Sequence, residues 1–112
     1  MSEKLEEKTR AKVSEDKLGR YEVLIDNETT RITFHHIDPG KQSGWHRHED
    51  NYVGYHFGDS QVHVDLGNGE AGAMRSETGK ATFYDVGDGF EHNVTVLGDS
   101  PLIALEIEYK KP

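Results

Sequence analysis

A chain of 112 residues with 21 acidic and 13 basic side chains carries a net charge of -8 and contains no cysteine. Disulfides, thiolate ligands and cysteine nucleophiles are therefore excluded, and nucleic acid and anionic membranes are disfavoured as partners, because both need lysine and arginine against phosphate. The length supports one domain with a modest core, and twelve glycines against three prolines suit the tight turns of an all-β chain.

Residues 1–18 are dominated by Lys, Glu, Arg and Ser, with Leu5, Val13 and Leu18 the only large aliphatics. Too little apolar surface is present to offset the entropy of ordering, so a poorly ordered charged tail over 1–18 and a single domain over 19–112 are predicted. The tail has no apolar leader, and no run is long enough to span a bilayer, which makes a soluble cytoplasmic protein the expectation.

Tyr21–Ile25 reads as a strand ended by Asp26-Asn27, and Arg31–Ile37 as a second strand before the Pro39-Gly40 turn. One of His35 and His36 must point inward. Tyr52–Phe57 and Gln61–Leu66 flank Gly58-Asp59 and predict a hairpin. In its second arm Val62, Val64 and Leu66 alternate with His63 and Asp65, which places the aliphatics inside. If Asn51 faces inward, Val53, Tyr55 and Phe57 do too, and His56 points away. Gly67–Gly72 reads as loop, with Ala73–Ser76, Ala81–Tyr84, Val94–Leu97 and Leu102–Tyr109 as further strands. Seven to nine short strands without a convincing helix predict a sandwich or barrel.

Within Gly44-Trp45-His46-Arg47-His48 the two histidines are two apart, so on a strand they share one face and Arg47 takes the other. His92, in Gly87-Asp88-Gly89-Phe90-Glu91-His92, is a third candidate. Three convergent imidazoles suit zinc, iron, copper or nickel better than magnesium or calcium. No Gly-x-Ser-x-Gly elbow, phosphate loop or dinucleotide fingerprint is present.

These motifs resemble those of the cupins. Gly40 precedes His46 as the glycine of the first cupin motif precedes its His-x-His, and Gly58 closes it, with Asn51 where the family has a glutamate. Gly89-Phe90-Glu91-His92 matches the Gly-x-x-His core of the second motif, with Gly87 in place of proline and Val96 in place of asparagine. The match spans roughly residues 30–109, and its wording looks most like small single-domain cupins associated with β-alanine degradation.

The resemblance implies a double-stranded β-helix, the cupin jelly-roll barrel, with His46, His48 and His92 as metal ligands. The fourth position is open to Asn51, Glu49, Asp50 or water. It further implies one divalent transition metal and a small organic acid or amino-acid-derived substrate, processed by a dioxygenase or related lyase. Tyr55 and Tyr84 are the candidate catalytic phenols, Trp45 a candidate for the mouth, and Arg31, Arg47 and Arg75 candidates for an anionic substrate. A homodimer joined through sheet edges is expected. The second reading is a non-catalytic cupin that holds metal or ligand without turnover.

Overall fold

A computed structural model describes residues 13–72, 74 and 76–112. The predicted tail as far as residue 12, and Ala73 and Arg75 of the predicted strand Ala73–Ser76, lie outside the described residues. The end of the predicted tail is docked: a 3-10 turn at Glu15–Lys17 leads to Leu18, which bridges Gln42, and backbone hydrogen bonds run from Gln42 to Lys17 and from Gly19 to Gln42.

Nine strands follow among the described residues: β1 Arg20–Asp26, β2 Thr30–Ile37, β3 His46–His48, β4 Tyr52–His56, β5 Gln61–Asp65, β6 Ala71–Gly72, β7 Ala81–Tyr84, β8 Phe90–Leu97 and β9 Leu102–Tyr109. Among the described residues no helix is long and apolar enough to cross a membrane. The strands form two sheets, β1-β2-β9-β4-β7 and β3-β8-β5-β6, every pair antiparallel.

The core lies between the sheets, where Ile37, Leu102 and Ala104 of one meet Val64, Val94 and Val96 of the other, with Val62, Leu66 and Met74 against them. As predicted, β5 turns its valines inward, with Val64 5% exposed. Six small and medium aliphatics fill only part of the space between two sheets. The remainder of the interior is aromatic and polar: Tyr52 stacks on His48 at 4.3 Å and on Tyr84 at 4.7 Å between ring centroids.

Three expectations are corrected. β4 and β5 are not a hairpin: β4 pairs with β9 and β7, β5 with β8 and β6, so the Gly58-Asp59 turn carries the chain from one sheet to the other. The inward face of β4 is Tyr52, Gly54 and His56, all buried, so Val53 and Tyr55 point outward, and Phe57 is 50% exposed. Asn51 was the wrong reference for that parity, because it stands outside the strand. Finally, the short strand after the loop is Ala71–Gly72, and β8 begins at Phe90, which puts His92 on a strand.

Candidate metal centre

His46 and His48 share the inner face of β3, as their spacing requires, and His46 pairs directly with His92 of β8. Two glycines make this approach possible. Gly44 turns at φ +85°, donates its N–H to Asn93 Oδ1 (3.0 Å), and presents its carbonyl to His46. Gly89 sits at φ +105°, where a Cβ would lie 2.6 Å from Arg47 Nη2 and 3.1 Å from the His48 carbonyl.

The three Nε2 atoms converge. His92 Nε2 is 2.8 Å from His46 Nε2 and 3.2 Å from His48 Nε2. Two nitrogens bound tetrahedrally at about 2.05 Å from one ion would be about 3.3 Å apart, so the triad already has close to ligand spacing. His46 Nδ1–H donates to the Gly44 carbonyl at 2.9 Å, which leaves the Nε2 lone pair for the centre.

Burial holds all three imidazoles neutral, the state in which they bind metal. It pushes His48 down to about 4 and His92 to about 3, the neighbouring imidazoles adding to the fall at His92, and it lowers His46.

Glu106, which the sequence reading missed, supplies the acidic neighbour. It occupies an inward position of β9 beside Gly54, with Oε1 3.8 Å from His48 Nδ1 and Oε2 3.6 Å from His35 Nε2. Burial raises its carboxyl, but the imidazoles of His35, His48 and His46 outweigh that and hold it down at about 2. His48, Glu106 and Glu108 form a second group able to hold a cation, contiguous with the triad through His48.

The other candidates fall as follows. Asn51 Oδ1 accepts the Val86 N–H at 2.9 Å and lines neither cavity at the triad. Asp50 accepts from Lys111 N–H, and Glu49 is exposed against Arg47. Tyr55 is on the outer face, with its ring 5.2 Å from Phe57, and does not reach the site. Tyr84 points inward, and its buried hydroxyl lies near Thr82 without a close hydrogen-bond partner. Of the adjacent pair, His35 is the inward one, while His36 meets Asp38 at 3.0 Å. Arg31, Trp45 and Arg47 all line the mouth, where Glu49, Glu91 and the Asp88 carbonyl hold Arg47.

Two cavities meet at the triad. The outer mouth, about 290 Å³ in volume, opens past Arg31, Trp45, Arg47, Glu106 and Glu108. The inner chamber is walled by Ile37, Met74, Val94, Leu102 and Ala104 and has His46 and His92 in its lining. It offers about 40 Å³ to water centres, space for about three waters. His56 also lines it. Only 2% exposed, this side chain engages Ser76 Oγ through Nδ1 at 3.1 Å and has no partner for Nε2. Burial lowers its pKa, so the ring is neutral.

No family model matches the chain, and no curated protein matches it. Solved structures do. The chain is similar to a cupin domain from Bordetella pertussis at 27% identity and a TM-score of 0.73, covering 84% of this chain and 95% of that one. It is also similar to KdgF from Halomonas sp. (16%, 0.58, 91% and 89%). A third neighbour is the DMSP lyase DddQ from Ruegeria pomeroyi (14%, 0.65, 88% of this chain and 51% of that one). The architecture is that of cupin domains, the double-stranded β-helix, with a histidine group suited to a metal.

Proposed function

We propose that the protein is a metal-dependent enzyme of small organic acids, with His46, His48 and His92 as ligands and lyase-type proton chemistry as the reaction. The observation that carries this is the convergence of three neutral Nε2 atoms beside a chamber whose lining residues also carry three buried polar atoms without a close hydrogen-bond partner, His35 Nε2, His56 Nε2 and Tyr84 OH. Buried polar groups are normally paired, and such atoms facing a cavity are natural contacts for a ligand.

A divalent metal there would act as a Lewis acid on a carboxylate or carbonyl oxygen. Glu106 places its carboxylate charge 3.8 Å from His48 Nδ1. The aliphatic wall excludes water around a short carbon chain. His56 and Tyr84 bind the far polar atom, and His56 can pass a proton at that atom, because Ser76 can donate to His56 Nδ1 or accept from it. The small chamber restricts the buried part of the substrate to about four heavy atoms. Dioxygenase chemistry on the same ligands is the second catalytic form of this proposal, and the KdgF and DddQ likenesses support the fold alone.

Two variants test the recognition role on zinc-loaded protein with acetate as the probe. His56→Asn keeps a nitrogen near Nδ1 for Ser76 but removes the chamber contact; His56→Gln keeps a group near Nε2. Acetate binding, followed by calorimetry, should weaken about tenfold in His56→Asn, the loss of one good hydrogen bond, and stay within about threefold in His56→Gln. Equal behaviour of the two variants would contradict the assignment. Incubating zinc- and iron-loaded protein with two- to five-carbon carboxylates, under air and under nitrogen, then separates lyase turnover from oxygen uptake. Tight binding without turnover under both conditions would mark a binding module instead.

A further inference from the structure

His56 closes β4, and two serines connect it to a second cavity. Its Nδ1 meets Ser76 Oγ at 3.1 Å, and Ser76 Oγ meets Ser60 Oγ at 2.5 Å. Ser76 is buried, and Ser60, just before β5, is partly buried. The other ring nitrogen, Nε2, is buried without a hydrogen-bond partner, and His56 lines the inner chamber. Ser60 lines a cavity of about 180 Å³ with Asp59, Gln61, Leu97, Asp99 and Ser100. Three hydrogen-bonded side chains thus join two cavities that share no lining residue.

The second cavity lies away from the outer mouth. Tyr52 pairs with Glu108 and His56 with Ala104, so β4 runs from the mouth toward the turn before Leu102 that borders this cavity. Backbone contacts hold the links in order. Gly79 N–H donates to the His56 carbonyl at 2.8 Å, His56 N–H to the Lys80 carbonyl at 3.2 Å, and Ser60 N–H to the Ser76 carbonyl at 3.1 Å. Asp59 Oδ1 accepts from the N–H of Thr78 at 2.6 Å and from its hydroxyl at 2.9 Å. The segment 76–80 is thereby fixed both to the end of β4 and to Asp59-Ser60.

We infer that His56, Ser76 and Ser60 form a proton path between the inner chamber and water in this second cavity. The inference rests on the reading of the chamber as a place of proton chemistry. A hydroxyl is both donor and acceptor, so each serine can take a proton on one side while giving one on the other. With the ring proton on Nδ1, Nε2 takes a proton from the bound ligand, Nδ1–H passes its own to Ser76, Ser76 to Ser60, and Ser60 to water. One proton leaves the chamber, each oxygen keeps its proton count, and the ring ends protonated on Nε2. The reverse passage restores the first tautomer, so the path delivers a proton as well as removing one.

A purely structural role explains these groups less well. Ser76 alone would satisfy Nδ1, and a buried polar group is favourable only when its atoms are paired, whereas Nε2 is left unpaired beside the chamber. The chamber also needs a second exit for a proton. It holds only about three waters, so a ligand that fills it displaces the water that could carry a proton out through the mouth. Ile37, Met74, Val94, Leu102 and Ala104 of its wall pass none.

Exchange of the His56 ring proton with water tests this without any turnover. It is read by heteronuclear NMR on the histidine-labelled full chain, in wild type, Ser60→Ala, Ser60→Thr and Ser100→Ala. Ser60→Ala removes the outer link and should slow exchange at least about tenfold, while Ser60→Thr keeps a hydroxyl and should stay within about threefold of wild type. Ser100→Ala, in the same cavity but outside the chain of hydrogen bonds, should match the wild type. A serine that only braced the loop would act the other way, because its loss loosens the segment and speeds exchange. Equal or faster exchange in Ser60→Ala would therefore overturn the path. Zinc content of the same samples separates the two readings: zinc bound with unslowed exchange rejects the path alone, and slowed exchange without zinc rejects the metal centre alone.

Discussion

His46 and His92 are directly opposed across β3 and β8, and their Nε2 atoms stand 2.8 Å apart with His48 Nε2 3.2 Å from the second of them. The contact between two strands thus creates the site: β3 is only three residues long, and two of the three carry imidazoles. Everything that holds β3 against β8 therefore holds the geometry of the triad.

Gly89 is one such support. An alanine there must adopt φ +105° and push its Cβ toward the His48 carbonyl at 3.1 Å, whereas Gly69, at φ +83°, has open space around a Cβ. Gly89→Ala should cost about 2 kcal/mol of stability and weaken zinc binding, and Gly69→Ala about 1 kcal/mol with zinc binding intact. Urea titrations and zinc competition read both. Equal effects would mean that the approach of β8 to His48 is not constrained.

Glu106 is the second support. Its carboxylate lies 3.8 Å from His48 Nδ1, and Glu106→Gln keeps the shape while removing the charge. Zinc affinity, measured against a chelating dye, should fall about tenfold, through loss of a negative charge beside the dication. Unchanged affinity would remove Glu106 from the site.

Acid should destabilise the metal-free protein. Imidazoles in the unfolded chain titrate near 6.5, but His48 and His92 are pushed down to about 4 and about 3 by burial. As pH falls below 6.5 the unfolded chain takes up protons that the fold refuses, so stability decreases until the folded values are passed. His48 alone accounts for on the order of 3 kcal/mol. Glu106, held at about 2, extends the loss below the ordinary carboxylate range. Urea midpoints in chelator at pH 7.5, 6, 5 and 4 should decline steadily; a flat series would show that the histidines are solvated.

Much of this was legible in the sequence. His46 and His48 share a face because strands have a period of two, and β2, β5, β7 and β9 fall where β-branched runs and turn residues placed them. Glu106 was hidden because both parities of Leu102–Glu106 are largely apolar, so nothing local says which face is the interior. His56 was assigned outward because Asn51 was counted as part of the strand, while its side chain in fact caps the Val86 N–H. The hairpin expectation failed because Gly58-Asp59 specifies a turn but not whether the next strand stays in the same sheet. The alternation of Ile103, Leu105, Ile107 and Tyr109 would by itself suggest a core face; only the pairing of β9 between β2 and β4 reveals it as outer surface.

The most direct test of the central claim is metal content by plasma mass spectrometry on untagged protein after loading with zinc, iron, nickel or copper in turn, beside His92→Ala. The triad predicts close to one equivalent of at least one of these metals in the wild type and near none in the variant, with both proteins folded by circular dichroism. Negligible metal in the wild type after every loading, or an equivalent that survives His92→Ala, would contradict the assignment of His46, His48 and His92 as a metal centre.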